Sequence, residues 1–495
     1  MTQNIELANL TLDDASKQLA SGSLHSQDLA EAYIAQIERI DPKTQAVLEI
    51  NPDAIEQACE LDNERAQGKV RGALHGIPIL LKDNIDTAGS MSTSAGSVAL
   101  KESIAPEDAF VTQRLREAGA LILGKTNLSE WANMRSSRSS TGWSSRGGQT
   151  RNPFDLNRSP GGSSSGSGVA VAAGMCAAAV GTETNGSVVI PASMNSLVGI
   201  KPSIGLVSRT GIIPISHSQD TAGPIARSVK DAAILLGGML GFDPEDSLSR
   251  EVEQLAEDLL KLSPHALKGA RVGVLSNFIG YHDGVDALMH NALRGLNDCG
   301  ATVINPVEYT ELDQLEDNQD IVLCHELKAG LKAYLARLGP NAPMKSLEDL
   351  IRFNLGHSQQ TMPYFKQDLF LAAQATGSLE DKLYLDAFIN NKQLAREEGI
   401  DALLARDSLD VLVAPTIGPP WAIDLVNGDH RSPCSSALAA IAGYPHVTVP
   451  AGFVHDLPVG LSFFANDLSD AKVVQFAYAF EQHTQHRRAP ALAGT

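Results

Sequence analysis

Residues that could build a hydroxyl nucleophile and its base occur in three stretches of the 495-residue chain: "LLKDN" with Lys82, "SPGGSSSGSG" with Ser163, and "GTETNGSVVIPAS" with Ser187. A serine hydroxyl attacks a carbonyl only when a neighbouring group takes its proton, so serines and a lysine in small-residue surroundings are worth following. The segment from Gly161 to Ser193 is dominated by glycine, serine, alanine and threonine, with one acid, Glu183. It is not a flexible linker, because the enclosed "VAVAAGMCAAAVG" has the apolar pattern of a buried helix or strand.

Other motifs fail on their surroundings. "GALILGKT", Gly119 to Thr126, matches the phosphate-loop pattern letter for letter, but its four middle residues read as a strand rather than an exposed loop. "GSSSG", centred on Ser164, matches a nucleophile elbow, yet the upstream "LNRSPG" is not the apolar strand an elbow needs. "SDAK", Ser469 to Lys472, reads as a helix start with a solvated lysine. The thirteen histidines show no metal-ligand spacing; His217 and His446 read as rim or structural residues. No metal or cofactor is expected.

The elements that must position these stretches alternate. "IPILL" reads as a strand from Ile77 to Leu81 delivering Lys82 at its end, and Ala120 to Leu123 as another. "ARVGVLSNF", "ATVINPVEY", "DVLVAPT" and "HVTVPAGF" continue the strands, with helical segments between. The expected fold is α/β: a single large domain over 1–495 with a mixed, mostly parallel sheet covered by helices. Residues 1–70 form an N-terminal helical region, including a helix capped by Ser26 and ended by Pro42. Residues 240–400 read as a helical insertion or cap, and "DAKVVQFAYAFEQHT" as a closing amphipathic helix.

Composition bounds the partners. The chain is 43% hydrophobic and 20% charged, with a net charge of −19, which disfavours nucleic acid and anionic membranes. No stretch reaches the roughly 18 apolar residues of a membrane span, and the polar start reads as no signal peptide. The five cysteines (Cys59, Cys176, Cys299, Cys324, Cys434) form no C-x-x-C pair, so a reducing cytoplasm is expected. The protein is read as a monomer or homodimer.

The three stretches together resemble the amidase signature family, with Ser163 and Ser187 spaced by 24 positions as in that family. Further similar runs are "GKTNLSEWAN", "GGQTRNP", "GIKPSIGLVSRTGIIPIS", "AGYPHVTVPAG" and "LPVGLSFF". The resemblance implies the fold of that family and a Ser-Ser-Lys relay. Ser187 would be the nucleophile forming an acyl-enzyme, and Ser163, preceded by a cis peptide bond, would bridge it to Lys82. Lys82 acts as base only when neutral, so burial must lower its proton affinity by several units from about 10.4. The resemblance also implies an oxyanion hole made by the backbone N–H groups of Thr184, Asn185, Gly186 and Ser187.

Many members carry Asp-x-Gly-Gly-Ser and then Ile-Arg where this chain has Glu183-Thr184-Asn185-Gly186-Ser187, then Val188-Val189. "GTETNGS", "EWANMR" and "GLVSRTGIIPISHSQDTAGP" look most like the peptide amidase branch, with Asn185 in place of that branch's acid. The implied activity is removal of the C-terminal amide from peptides or aminoacyl amides. Trp131, Met134, Trp143, Trp421 and Tyr444 are candidate walls of the acyl pocket. Rival readings are an aryl or aliphatic amidase, the ammonia-supplying subunit of a tRNA-dependent amidotransferase, an ATP-binding protein resting on "GALILGKT", and an inactive scaffold.

Overall fold

The computed structural model describes residues 6–252, 254–340 and 342–494. "PILLK", "LILGKT" and "AAVGTE" have no polar alternation, and all three form strands whose every residue is buried: Pro78–Lys82, Leu121–Thr126 and Ala178–Glu183. Such strands need helices on both faces. They belong to an eleven-stranded sheet. Its order is Val47–Ile50, Leu121–Thr126, Pro78–Lys82, Ala178–Glu183, Thr221–Ala226, Val198–Lys201, His446–Val454, Leu457–Phe464, Val411–Pro415, Arg271–Leu275 and Thr302–Val307.

The sheet is mixed and helix-covered, as expected. Its parallel ladders form two blocks. Pro78–Lys82 pairs with Leu121–Thr126 and Ala178–Glu183, and Arg271–Leu275 pairs with Thr302–Val307 and Val411–Pro415. The other ladders are antiparallel, including every one through the middle of the sheet. That antiparallel middle is what the alternation of strands and helices did not foretell.

Because Pro78–Lys82 and Ala178–Glu183 run parallel, Lys82 and the loop after Glu183 leave the sheet at the same edge. The small-residue stretch then supplies helix Ser165–Ala172, buried along its whole length. Its bulk is missing for a packing reason: a Cβ on Gly166 would stand 2.2 Å from the Ala46 carbonyl oxygen and 2.6 Å from that of Asn127.

Arg227 fixes the turn that feeds the strand Ala178–Glu183. Its buried guanidinium donates to the carbonyls of Cys176 and Ala177, both at 2.7 Å, and of Ala8 at 3.2 Å. Arg227→Met should therefore take this donor from the buried Cys176 and Ala177 carbonyls, while Ala8 keeps Arg487 Nη2 at 2.7 Å, and cost about 2 kcal/mol or more. A urea midpoint unchanged from wild type would show that the turn holds without it.

Residues 1–70 carry helices Leu12–Ser21, Ser26–Thr44 and Ala54–Ala66, with the edge strand Val47–Ile50; positions 1–5 lie outside the described residues. Two local expectations are corrected. The N-terminus of Ser26–Thr44 is capped by the Asp62 carboxylate, which accepts from Ser26 N (2.8 Å) and Gln27 N (3.0 Å), rather than by the Ser26 hydroxyl. Pro42 lies inside the last turn, since it removes only one hydrogen bond; the helix ends two residues on, at Thr44, capped by left-handed Gln45.

Between 240 and 400 the helix Asp283–Asp298 sits between two strands, and the run of successive helices begins only at Leu312. Arg271–Leu275 and Thr302–Val307 are strands of the main sheet. Helices Leu312–Arg337, Leu347–Gly356, Asp368–Ala375 and Lys382–Ala395 follow, and the first three share an apolar cluster with Trp131 and Ile213. The amphipathic helix is Asp470–Thr484, with Lys472 at the surface on Asp410, but it is not the closing one, since a short helix Ala491–Gly494 follows. The five cysteines are unpaired, and among the described residues no helix is long and apolar enough to cross a membrane.

Candidate active site

Lys82 ends its strand fully buried, with Nζ 2.8 Å from Ser163 Oγ, 2.8 Å from Thr182 Oγ1 and 3.2 Å from the Thr182 carbonyl oxygen. Asn84 Nδ2 donates to the same Thr182 hydroxyl at 3.0 Å. Burial pulls the Lys82 ammonium down to about 7, against the opposing pull of the Asp220 and Glu183 carboxylates. At neutral pH much of Lys82 is then a free amine, with two N–H donors and one lone pair. The Thr182 carbonyl can only accept, so it takes one N–H. That leaves one donor and the lone pair for two hydroxyls. With Thr182 Oγ1 accepting the second N–H, the lone pair faces the Ser163 proton.

Ser163 follows a cis peptide bond from Gly162, as the resemblance implied. Ser164 N donates to the Ser187 carbonyl at 3.2 Å, tying the turn to the second serine. The Ser164 hydroxyl is buried and points elsewhere: it accepts from Thr182 N at 3.2 Å and donates to Thr182 O at 3.1 Å. The elbow motif therefore presents no nucleophile. No hydrogen bond joins the Ser163 and Ser187 hydroxyls among the described residues; such contacts commonly tighten only around substrate.

Ser187 closes a short loop between the strand Ala178–Glu183 and the helix Val189–Met194. Glu183, the lone acid of the stretch, caps that helix by accepting from Val188 N (2.7 Å) and Val189 N (3.1 Å). Thr184 Oγ1 donates to Asp220 Oδ1 at 2.5 Å. Gly186 has φ +82°, and a Cβ there would meet Ile190 Cδ1 at 2.5 Å, so only glycine fits. Among the described residues, the backbone N–H groups of Thr184, Asn185, Gly186 and Ser187 find no acceptor in the protein. A row of free N–H groups beside a hydroxyl is what a developing oxyanion requires.

Thr184, Asn185, Ser187 and Gly162 line a cavity of about 510 Å³. Met134 and Trp421 stand on its wall. Trp131, Trp143 and Tyr444 do not. Trp131 packs edge-on against Phe370 at 5.5 Å, and Trp143 against Phe365 at 5.1 Å. Tyr444 donates to Asp401 at 2.9 Å beneath Arg396. Each anchors a neighbouring layer, the commoner use of a large ring. The wall also takes Glu316, Leu323, Leu369, Ile417, Arg431 and Cys434, from loops and helices that carried no motif.

The discarded motifs stay discarded. Lys125 of "GALILGKT" lies in a strand, buried, donating to the Ile85 carbonyl at 2.5 Å and Thr93 Oγ1 at 2.9 Å. His446 is buried on Ser462 Oγ at 2.6 Å and held neutral, its pKa pushed down to about 3 by burial; His217 is exposed.

A buried amine on one hydroxyl, and a second hydroxyl among free N–H groups on a cavity wall, make the apparatus of a serine hydrolase whose base is lysine. The comparisons agree with that class. A family model described as Amidase matches residues 28–474. A peptide amidase solved with the competitive inhibitor chymostatin is 47% identical at a TM-score of 0.95, over 98% of this chain and 100% of that one. A probable amidase of Arabidopsis thaliana is 39% identical over 99% of this chain and 93% of that protein. A glutamyl-tRNA(Gln) amidotransferase subunit of Pseudomonas aeruginosa is 34% identical over 98% and 99%. The chain belongs to the amidase family, and its chemistry is that of a hydrolase acting on amide C–N bonds.

Proposed function

We propose that this protein hydrolyses the C-terminal primary amide of peptides or aminoacyl amides, giving the free acid and ammonia. The observation that carries the mechanism is the 2.8 Å contact of buried Lys82 Nζ with Ser163 Oγ at the foot of the Ser187 loop. Neutral Lys82 takes the Ser163 proton while Ser163 takes that of Ser187. Ser187 Oγ bonds to the amide carbon, and the carbonyl oxygen gains its negative charge against the N–H groups of Thr184 to Ser187. The proton on Lys82 returns through Ser163 to the leaving nitrogen, which departs as ammonia as the C–N bond breaks. Water then attacks the acyl-enzyme by the same relay and frees Ser187.

The peptide substrate is supported by the 47% identity to a peptide amidase that binds chymostatin, higher than the 34% to the amidotransferase protein. A 510 Å³ cavity also suits the acyl part of a small peptide. The net charge of −19 fits action without nucleic acid, and a cytoplasmic monomer or homodimer belongs to the same proposal.

Substrate class is tested by mass spectrometry of products from an N-protected dipeptide amide, its N-methylamide and a long-chain fatty amide. The primary amide should be cleaved fastest, with internal bonds spared. Faster turnover of the fatty amide, or cuts inside the peptide, would overturn the peptide amidase proposal.

A further inference from the structure

The Thr184–Ser187 loop is short, exposed to the cavity on one side, and centred on a left-handed glycine. Nothing in its own four residues holds its N–H groups in one direction. Groups around it do so: Ser164 N on the Ser187 carbonyl and Ile190 N on the Gly186 carbonyl hold its far end, and three separate parts of the fold hold Thr184 and Asn185. Thr184 is held by the 215–220 loop, through Asp220 on its hydroxyl and Gln219 Nε2 on its carbonyl at 3.3 Å. Asn185 is held twice. Its Nδ2 donates to Gln319 Oε1 at 3.0 Å, and its Oδ1 accepts from Ser436 Oγ at 2.5 Å. Gln319 lies on the helix Leu312–Arg337 and Ser436 begins the helix Ser436–Ala442. Both are buried, so the two bonds are poorly shared with solvent.

We infer that Gln319 and Ser436 are positioning residues of the oxyanion hole, acting on its N–H groups through the Asn185 side chain. The inference rests on the proposal that this loop stabilises the oxyanion. The amide of Asn185 suits the task better than a carboxylate would. It presents one donor and one acceptor to two different partners, so each end has a single correct mate, and it brings no negative charge beside a developing oxyanion. Gln319 points its oxygen at Asn185 while its Nε2 has no partner among the described residues, so Asn185 is what its side chain holds. On the other flank, a Cβ at Gly186 would come within 2.9 Å of Ser436 Oγ, so Ser436 packs directly on the loop backbone as well as bonding to its side chain.

Interactions that strengthen only as charge develops change kcat rather than KM. Gln319→Met removes the acceptor at nearly constant volume, Ser436→Ala removes the donor, and Asn185→Ala removes both bonds at once. On a peptide amide substrate, kcat should fall by about 10-fold or more in each variant, with KM within about 2-fold, less than the 10²–10³ lost when an oxyanion donor itself is removed. The decisive readout is the double-mutant cycle. In the Asn185→Ala background, neither Gln319→Met nor Ser436→Ala should lower kcat further, whereas a general packing role would act additively. Ser436→Thr, which keeps the hydroxyl, should restore kcat in place of Ser436→Ala. Additive losses, or single variants with unchanged kcat, would overturn the inference. Labelling of Ser187 by a fluorophosphonate, read on the same samples, separates the two claims: unlabelled wild-type Ser187 would sink the underlying proposal instead.

Discussion

Ser187→Ala should abolish amide hydrolysis, lowering kcat by about 10⁶-fold, the scale seen when a serine nucleophile is removed from a relay that works as a unit. Neither neighbouring serine of the small-residue stretch can take its place. Ser163 is turned onto Lys82 and Ser164 onto the backbone of Thr182, so neither reaches the cavity with a free oxygen. The variant should fold normally, because the Ser187 side chain makes no hydrogen bond to the described residues and lies against open space on one side. A fluorophosphonate should label the wild-type protein at Ser187 and leave the variant unlabelled. Label recovered at Ser164 would return the elbow motif to contention and remove Ser187 as nucleophile.

Lys82→Ala should cost several orders of magnitude in kcat, and the wild-type pH profile should show why. Lys82 is a base only when it has lost its proton, and burial places that loss at about pH 7 instead of above 10. Below pH 7 the protonated fraction grows. On the acid side, kcat/KM should thus fall about tenfold per pH unit, with its half-maximum near 7. Above that pH the limb should flatten, since further deprotonation gains nothing. A profile flat from pH 5 to 8 in the wild type would exclude Lys82 as the base, whatever the alanine variant does.

The parts legible in sequence were those with dense local signals. "IPILL" placed a strand within one residue of its true bounds and delivered Lys82 correctly. The resemblance linked the Ser163 and Ser187 stretches, and the fold joins them through Ser164 N on the Ser187 carbonyl. The strand Thr221–Ala226 carried no such signal, for Gly223 and Pro224 interrupt it. It pairs in the middle of the sheet all the same, because the ladder to Val198–Lys201 covers only Ile225 and Ala226, leaving Pro224 outside the overlap. The cavity wall was hardest to read. Size suggested the aromatic rings, yet rings mostly bury themselves, and three of the five chosen anchor neighbouring layers. Gln319, Arg431 and Ser436 reach the site from more than 130 positions beyond Ser187, in segments whose periodicity says nothing of what they face.

The order of strands in the large sheet also sets a hazard during synthesis. Its six strands from the first half of the chain lie together, and its five from the second half lie beyond them, meeting only where Val198–Lys201 joins His446–Val454. A ribosome that has released Lys201 must add well over 200 residues before the matching strand exists, on the order of ten seconds or more at ordinary synthesis speeds. Through that interval the half-sheet presents "VGIK" as an open edge, apolar in three of its four positions and ready to pair with any extended chain nearby. A premature stop between the two strands thus yields no smaller enzyme. It yields a half-sheet with an unpaired edge, a substrate for chaperones or a seed for aggregates.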